Sequence, residues 1–106
     1  MTGVANVSEF DSGADRNTTN YDAINQRLDL DSHPPDGLIV HAAGFSGNTF
    51  RIITIWATAE HKERFEHERL IPTLREVVGD SSPPPRTENY QLHRLVAPGA
   101  FEATGR

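Results

Sequence analysis

Residues 34–58, "PPDGLIVHAAGFSGNTFRIITIWAT", decide the fold. Pro34, Pro35 and the pair Asp36-Gly37 stop any preceding helix, since proline donates no backbone hydrogen bond and Asp-Gly favours a turn. Residues 38–43 and 50–57 then read as two apolar strands with "GFSGNT" as the hairpin loop. With a loop over residues 45–48, Ala43 pairs with Phe50 and His41 with Ile52. Ile39, His41, Ala43, Phe50, Ile52, Thr54 and Trp56 then share one face, and a slip of one residue would part His41 from Trp56.

Working outward, residues 4–10 (VANVSEF) alternate weakly and form a short strand. "DSGADRNTTN" follows as a polar loop, with Thr18 or Thr19 as N-cap and Asp22 in the first turn of a helix over residues 20–30. Tyr21, Ile24 and Leu28 recur there at helical spacing. Thr58 is the N-cap of a second helix over residues 59–78, in which Pro72 predicts a kink or break. "GDSSPPPRTE" is a proline-stiffened loop, residues 90–96 alternate as the last strand, and "PGAFEATGR" is a tail or an arm to a partner. The order is β-α-β-β-α-β, the ferredoxin-like α+β arrangement of a four-stranded antiparallel sheet with both helices on one face.

The hairpin strands are apolar on both sides: Leu38, Val40, Ile53 and Ile55 against Ile39, Phe50, Ile52 and Trp56. A second copy of the same sheet is the simplest cover for the face without helices, so a homodimer is expected. The 106 residues make one domain, with residues 1–16 and 99–106 flexible or in contact with a partner. A formal net charge of −5 and the lack of any basic run argue against nucleic acid. Without cysteine there is no disulfide, thiolate nucleophile or cysteine-held metal. No signal peptide or membrane-length apolar run is visible, which predicts a cytoplasmic protein with no membrane partner.

The element order, "GLIVHAAG", the strand ending "TIW", "ERLIPTLRE" and the closing "YQLHRLVAP" resemble the dimeric α+β barrel superfamily over residues 21–98. Within it they resemble the antibiotic-biosynthesis-monooxygenase-like branch. The resemblance implies a homodimer. It also implies one of several activities hosted by this scaffold: cofactor-free oxygenation, polyketide cyclisation, dehydration, haem degradation, or none. The haem-degrading relatives carry an iron-ligating histidine late in the second helix; here that region reads "PTLREVV", so haem is disfavoured and no cofactor is expected.

His41 and His93, at the centres of two expected strands, are the candidate catalytic residues. An imidazole in an apolar cleft stays neutral and can accept a proton near pH 7. Trp56 and Phe50 offer a flat apolar wall, and Ile52, Thr54, Tyr21 and Tyr90 complete a substrate-binding set for a hydrophobic small molecule. Either histidine alone is more often a satisfied structural residue on a half-buried strand. Arg51 and Arg94 also lie within expected strands, where a charge needs a partner. No metal is expected: His61 and Glu63 point about 200° apart on a helix, and "EHKERFEHER" reads as a solvated face with i,i+4 charge pairs. These residues predict a small cofactor-independent enzyme acting on a hydrophobic, aromatic or polyketide-like metabolite. The chemistry is monooxygenation or acid–base cyclisation, dehydration or isomerisation. The alternatives are a non-catalytic ligand-binding or stress-response dimer, and a subunit whose barrel serves assembly alone.

Overall fold

The computed structural model describes residues 3–11, 17–79 and 85–98. The apolar stretch forms the hairpin with longer strands and a tighter turn than its sequence announces. β1 is Val4–Asp11, β2 is Leu38–Ser46 and β3 is Thr49–Trp56. Gly47 and Asn48 alone connect β2 to β3, with Gly47 at φ 63°, a conformation that glycine adopts freely.

The tighter turn moves the register by two residues, so His41 lies opposite Thr54, Ala43 opposite Ile52 and Phe45 opposite Phe50. Because two residues is the strand period, each side chain keeps its face. One position changes. A bulge between Leu38 and Val40 sets Leu38, rather than Ile39, beside Trp56, and Ile39 is left exposed.

β1 is a central strand, antiparallel to β3 on one side and to β4 (Arg86–Gln91) on the other, giving the order β2-β3-β1-β4. β1 is the strand read from sequence at residues 4–10, extended to Asp11. The sheet corrects the last strand, read from sequence at residues 90–96. Backbone pairing with β1 starts the strand at Arg86, where no apolar alternation marks it. Leu92 N–H donates to Gly3 C=O at 2.8 Å as a last rung, and the alternating residues beyond it run past the sheet. Most of the proline-rich loop, residues 80–84, and the tail, residues 99–106, lie outside the described residues, as do residues 12–16.

α1 spans Thr19–Leu28 and ends at Asp29, whose φ of 52° terminates the helix while its N–H reaches Asn25 C=O at 2.9 Å. Thr18 occupies the N-cap, but its hydroxyl donates to the Asp22 carboxylate at 3.0 Å instead of capping a backbone group. The second helix comes in three pieces: α2 (Ala59–Phe65), a π-helical turn (Glu66–Leu70) and α3 (Ile71–Val78). Thr58 caps α2, its hydroxyl oxygen accepting from His61 N–H at 3.1 Å. In a regular helix the Pro72 ring would press on the carbonyl of residue 68. The wider turn that contains Glu68 relieves that contact, so Pro72 produces a π turn ahead of itself rather than a break.

Tyr21 of α1 meets Phe50 edge-on at 4.9 Å, and Phe65 of α2 meets Trp56 at 5.4 Å, so the helices lie on the face that carries Phe50 and Trp56. Leu28, Phe50 and Trp56 are the buried apolar side chains of this layer. Arg69, on the π turn, stands 5.5 Å above the Phe65 ring and donates to Leu28 C=O at 2.7 Å, closing the C-terminus of α1. Among the described residues the other sheet face carries no helix. Ile53 and Tyr90 there are 38% and 49% exposed. Among the described residues no helix is long and apolar enough to cross a membrane.

Candidate functional site

His41 sits in the middle of β2 on the helix-covered face, directly below the first turns of α1. The Tyr21 hydroxyl lies 2.7 Å from its Nε2, and the two rings stack at 6.1 Å with 21° between planes. Tyr21 is anchored in turn, since Asn25 one turn on donates to its carbonyl at 3.0 Å. Burial lowers the His41 pKa below 6.5, against the opposing pull of the Asp31 carboxylate. Burial also raises the Tyr21 phenol above 10, with the Asp22 charge adding to it. Both groups are therefore neutral near pH 7, and a phenol O–H donating to the Nε2 lone pair satisfies both.

The remaining predicted residues divide by face. Phe50, Ile52, Thr54 and Trp56 share His41's face through the β3 register. Trp56 is only 2% exposed and its indole N–H donates to Thr54 Oγ1 at 2.9 Å, so it is packed core beneath the site rather than an open wall. Phe50 is 8% exposed and likewise packed. Tyr90 lies on the opposite face, where its hydroxyl donates to Glu88 Oε1 at 2.9 Å. That placement removes it from the His41 set: alternation along β4 turns Tyr90 away while Asn89 and Gln91 turn toward the helices. His93 is exposed, two residues beyond the end of β4. β2 and β4 are the two edges of the sheet, so three strand spacings, about 14 Å, separate the strands whose histidines the sequence places together.

Arg51 finds the partner its position demands. Glu9, opposite both Arg51 and Arg86, receives Arg51 Nε at 2.6 Å and Arg86 Nη2 at 2.8 Å, and the two guanidiniums hold its carboxyl below the usual range. Arg94 is exposed beyond β4. Lys62 and Glu66, 2.9 Å apart, provide the i,i+4 pair of the charged helix. His61 takes part in the Thr58 cap through Nδ1 at 2.7 Å. Among the described residues no three His, Asp or Glu side chains cluster as metal ligands.

Two open clefts lie elsewhere. One, of about 270 Å³, runs between α1 and α3 past Arg27, Arg69 and Glu76. The other, of about 320 Å³, lies along the hairpin past Ala42, Gly44, Phe45 and Ile53. Neither is lined by His41.

A polar row escaped sequence reasoning. Thr54 lies between His41 on β2 and Asn6 on β1, and Asn6 lies opposite Asn89 on β4, so four polar side chains cross the sheet on the helix side. Asn6 Nδ2 donates to Asn89 Oδ1 at 2.8 Å, and the Ser8 hydroxyl donates to Asn6 Oδ1 at 3.2 Å. The signal was the polar i,i+2 spacing of Asn6 with Ser8 and of Thr87, Asn89 and Gln91. It becomes legible only once β1 and β4 are known to be neighbours.

No family model matches the sequence, and no curated protein matches it significantly. Solved structures do. A Nitrosomonas europaea protein of unknown function superposes with a TM-score of 0.65 at 19% identity, covering 91% of this chain and 94% of its own. SnoaB, a cofactor-independent oxygenase from Streptomyces nogalater, gives 0.63 at 12% identity over 91% and 98%. A candidate antibiotic biosynthesis monooxygenase from Caulobacter crescentus gives 0.67 at 8% identity over 88% and 92%. At these identities the likeness defines the fold. The chain has the ferredoxin-like α+β fold of the antibiotic-biosynthesis-monooxygenase-like proteins.

Proposed function

We propose that this protein is a cofactor-independent enzyme acting on a hydrophobic aromatic small molecule, with His41 and Tyr21 moving a proton at the site. The reading is carried by the 2.7 Å contact between the Tyr21 hydroxyl and Nε2 of a histidine that burial keeps neutral. With the Nε2 lone pair of neutral His41 accepting the Tyr21 O–H, the Tyr21 oxygen takes a proton from an acidic O–H or C–H of the substrate as its own proton passes to His41. In an oxygenation, the resulting electron-rich anion would react with O2 itself, a CH2 becoming C=O with release of one water. SnoaB, a cofactor-independent oxygenase, supports that chemistry on this scaffold. The same base serves cyclisation, dehydration or isomerisation when O2 is not consumed.

The protein acts as a homodimer in this reading, the second copy covering the face that leaves Ile53 and Tyr90 exposed. Sedimentation should give the dimer mass, and Ile53→Asp should shift it to the monomer. The activity test is O2 uptake and product analysis over a panel of phenols and anthrones, wild type against His41→Gln. Turnover lost with the fold intact supports the enzyme. Tight binding of panel members with no product under any condition would make the protein a binder instead.

A further inference from the structure

On the helix side of the sheet, β1, β3 and β4 present Asn6, Ser8, Thr54, Thr87, Asn89 and Gln91 in adjacent register positions. Every one is a neutral hydrogen-bonding side chain. The charged residues of these strands with described side chains, Glu9, Arg51, Arg86 and Glu88, all sit on the other face. This separation is unusual for an exposed surface. A solvent-facing sheet face ordinarily carries charge, which keeps an edge strand from pairing with other chains. Here β4 is exposed along its whole length, yet its helix-side positions hold only threonine, asparagine and glutamine.

The ring contacts from the helices fall on β2 and β3: Tyr21 on His41 and Phe50, Phe65 on Trp56. The β1–β4 half of the same face keeps its amides and hydroxyls at least partly open, bonded mostly to one another. Asn6 gives one amide hydrogen to Asn89, and its Oδ1 takes the Ser8 hydroxyl. Each asparagine has further donor or acceptor capacity beyond these bonds. Thr54 lies between Asn6 and His41, so this half is continuous with the proton-handling pair.

We propose that the β1–β4 half is a subsite for a neutral, multiply hydroxylated part of the ligand, a sugar or polyol group, lying beside the part that reaches His41. Amides and hydroxyls match neutral hydroxyls because both donate and accept. An anionic group such as a phosphate finds no cation among the described side chains of this face. A purely apolar group would leave the row unsatisfied. A site built to bond hydroxyls discriminates strongly against an analogue lacking them, since its own polar groups are then left without partners.

The inference rests on the His41–Tyr21 face being the substrate face, and its test reads binding rather than turnover. The probes are 1-naphthyl β-glucoside, 1-naphthol and 1-naphthyl phosphate, titrated by NMR with the side-chain amides of Asn6 and Asn89 resolved. The glucoside should bind at least about tenfold more tightly than either other probe. It should also move both amide signals. Asn6→Leu/Asn89→Leu should bring the glucoside and naphthol to equal affinity, and Asn89→Ala, on an exposed edge strand, provides a second variant if the pair fails to fold. Equal binding of glucoside and naphthol by wild type overturns the subsite, as does a preference for the phosphate. Amide signals that ignore every probe and change only on dilution of the protein assign the face to a second copy, which also overturns it. Loss of all activity in the phenol panel with the glucoside preference intact would overturn the enzyme reading alone.

Discussion

Replacing Tyr21 with phenylalanine removes one oxygen from the candidate site and keeps the ring that packs on Phe50. The lost hydrogen bond, 2.7 Å between half-buried groups, is worth about 1 kcal/mol net. In a domain of this size that lowers the melting temperature by about 4 °C. The proton affinity of His41 is the sharper readout. Burial sets its folded pKa below the 6.5 of the unfolded chain, so between those values the unfolded state binds more protons. Stability from this group is complete above pH 6.5 and is lost as pH falls through the folded pKa. The tyrosine hydroxyl donates to the neutral ring, so Tyr21→Phe raises the His41 pKa toward the unfolded value, while burial still holds it below. The variant should consequently be destabilised less at pH 5 than at pH 8. NMR titration of the imidazole protons and thermal melts at both pH values measure this. A wild-type His41 that titrates at or above 6.5, or one whose pKa falls in Tyr21→Phe, refutes the reasoning.

Trp56→Ala should cost about 3–5 kcal/mol, because the side chain is 2% exposed, packs on Phe65 and supplies the indole N–H bound by Thr54. Urea unfolding followed by far-ultraviolet circular dichroism measures it, and a loss under about 1 kcal/mol would show that the site has no packed floor. Gly37→Ala should destabilise by about 2 kcal/mol or more, since Gly37 adopts φ 84° and a Cβ there would strike the His61 ring. The double variant Gly37→Ala/His61→Ala should recover only the part due to the ring, since the Cβ of residue 61 still presses on the new methyl group and the backbone strain remains. Equal stability of the single and double variants would remove the clash from the account.

Local chemistry announced much of the chain. The prolines and Asp36-Gly37, the β-branched run of residues 52–55, the Thr58 cap and the Tyr21–Ile24–Leu28 spacing each act within a few residues, so helix and strand positions were readable from them. The position of His41 on the same face as Phe50, Ile52, Thr54 and Trp56 was readable too, because a two-residue register change preserves facing. What escaped depends on partners far away in sequence. β4 is a strand because β1 pairs with it, not because its own residues alternate. His93 falls outside the sheet for the same reason, and Tyr90 turns away from His41 once that pairing sets its side.

The sequence by itself determined the order of elements and the amphipathic hairpin, since these rest on backbone propensity and period-two patterning over short spans. Tertiary structure alone decided which side chain meets His41. α1 must cross over β2 and β3 before the hydroxyl of Tyr21, twenty residues away, reaches Nε2. Strand pairing and its register sorted Glu9, Arg51 and Arg86 onto one face and Asn6 and Asn89 onto the other. Side-chain contacts between strands are fixed by register and neighbour identity, and neither is a property of any single segment.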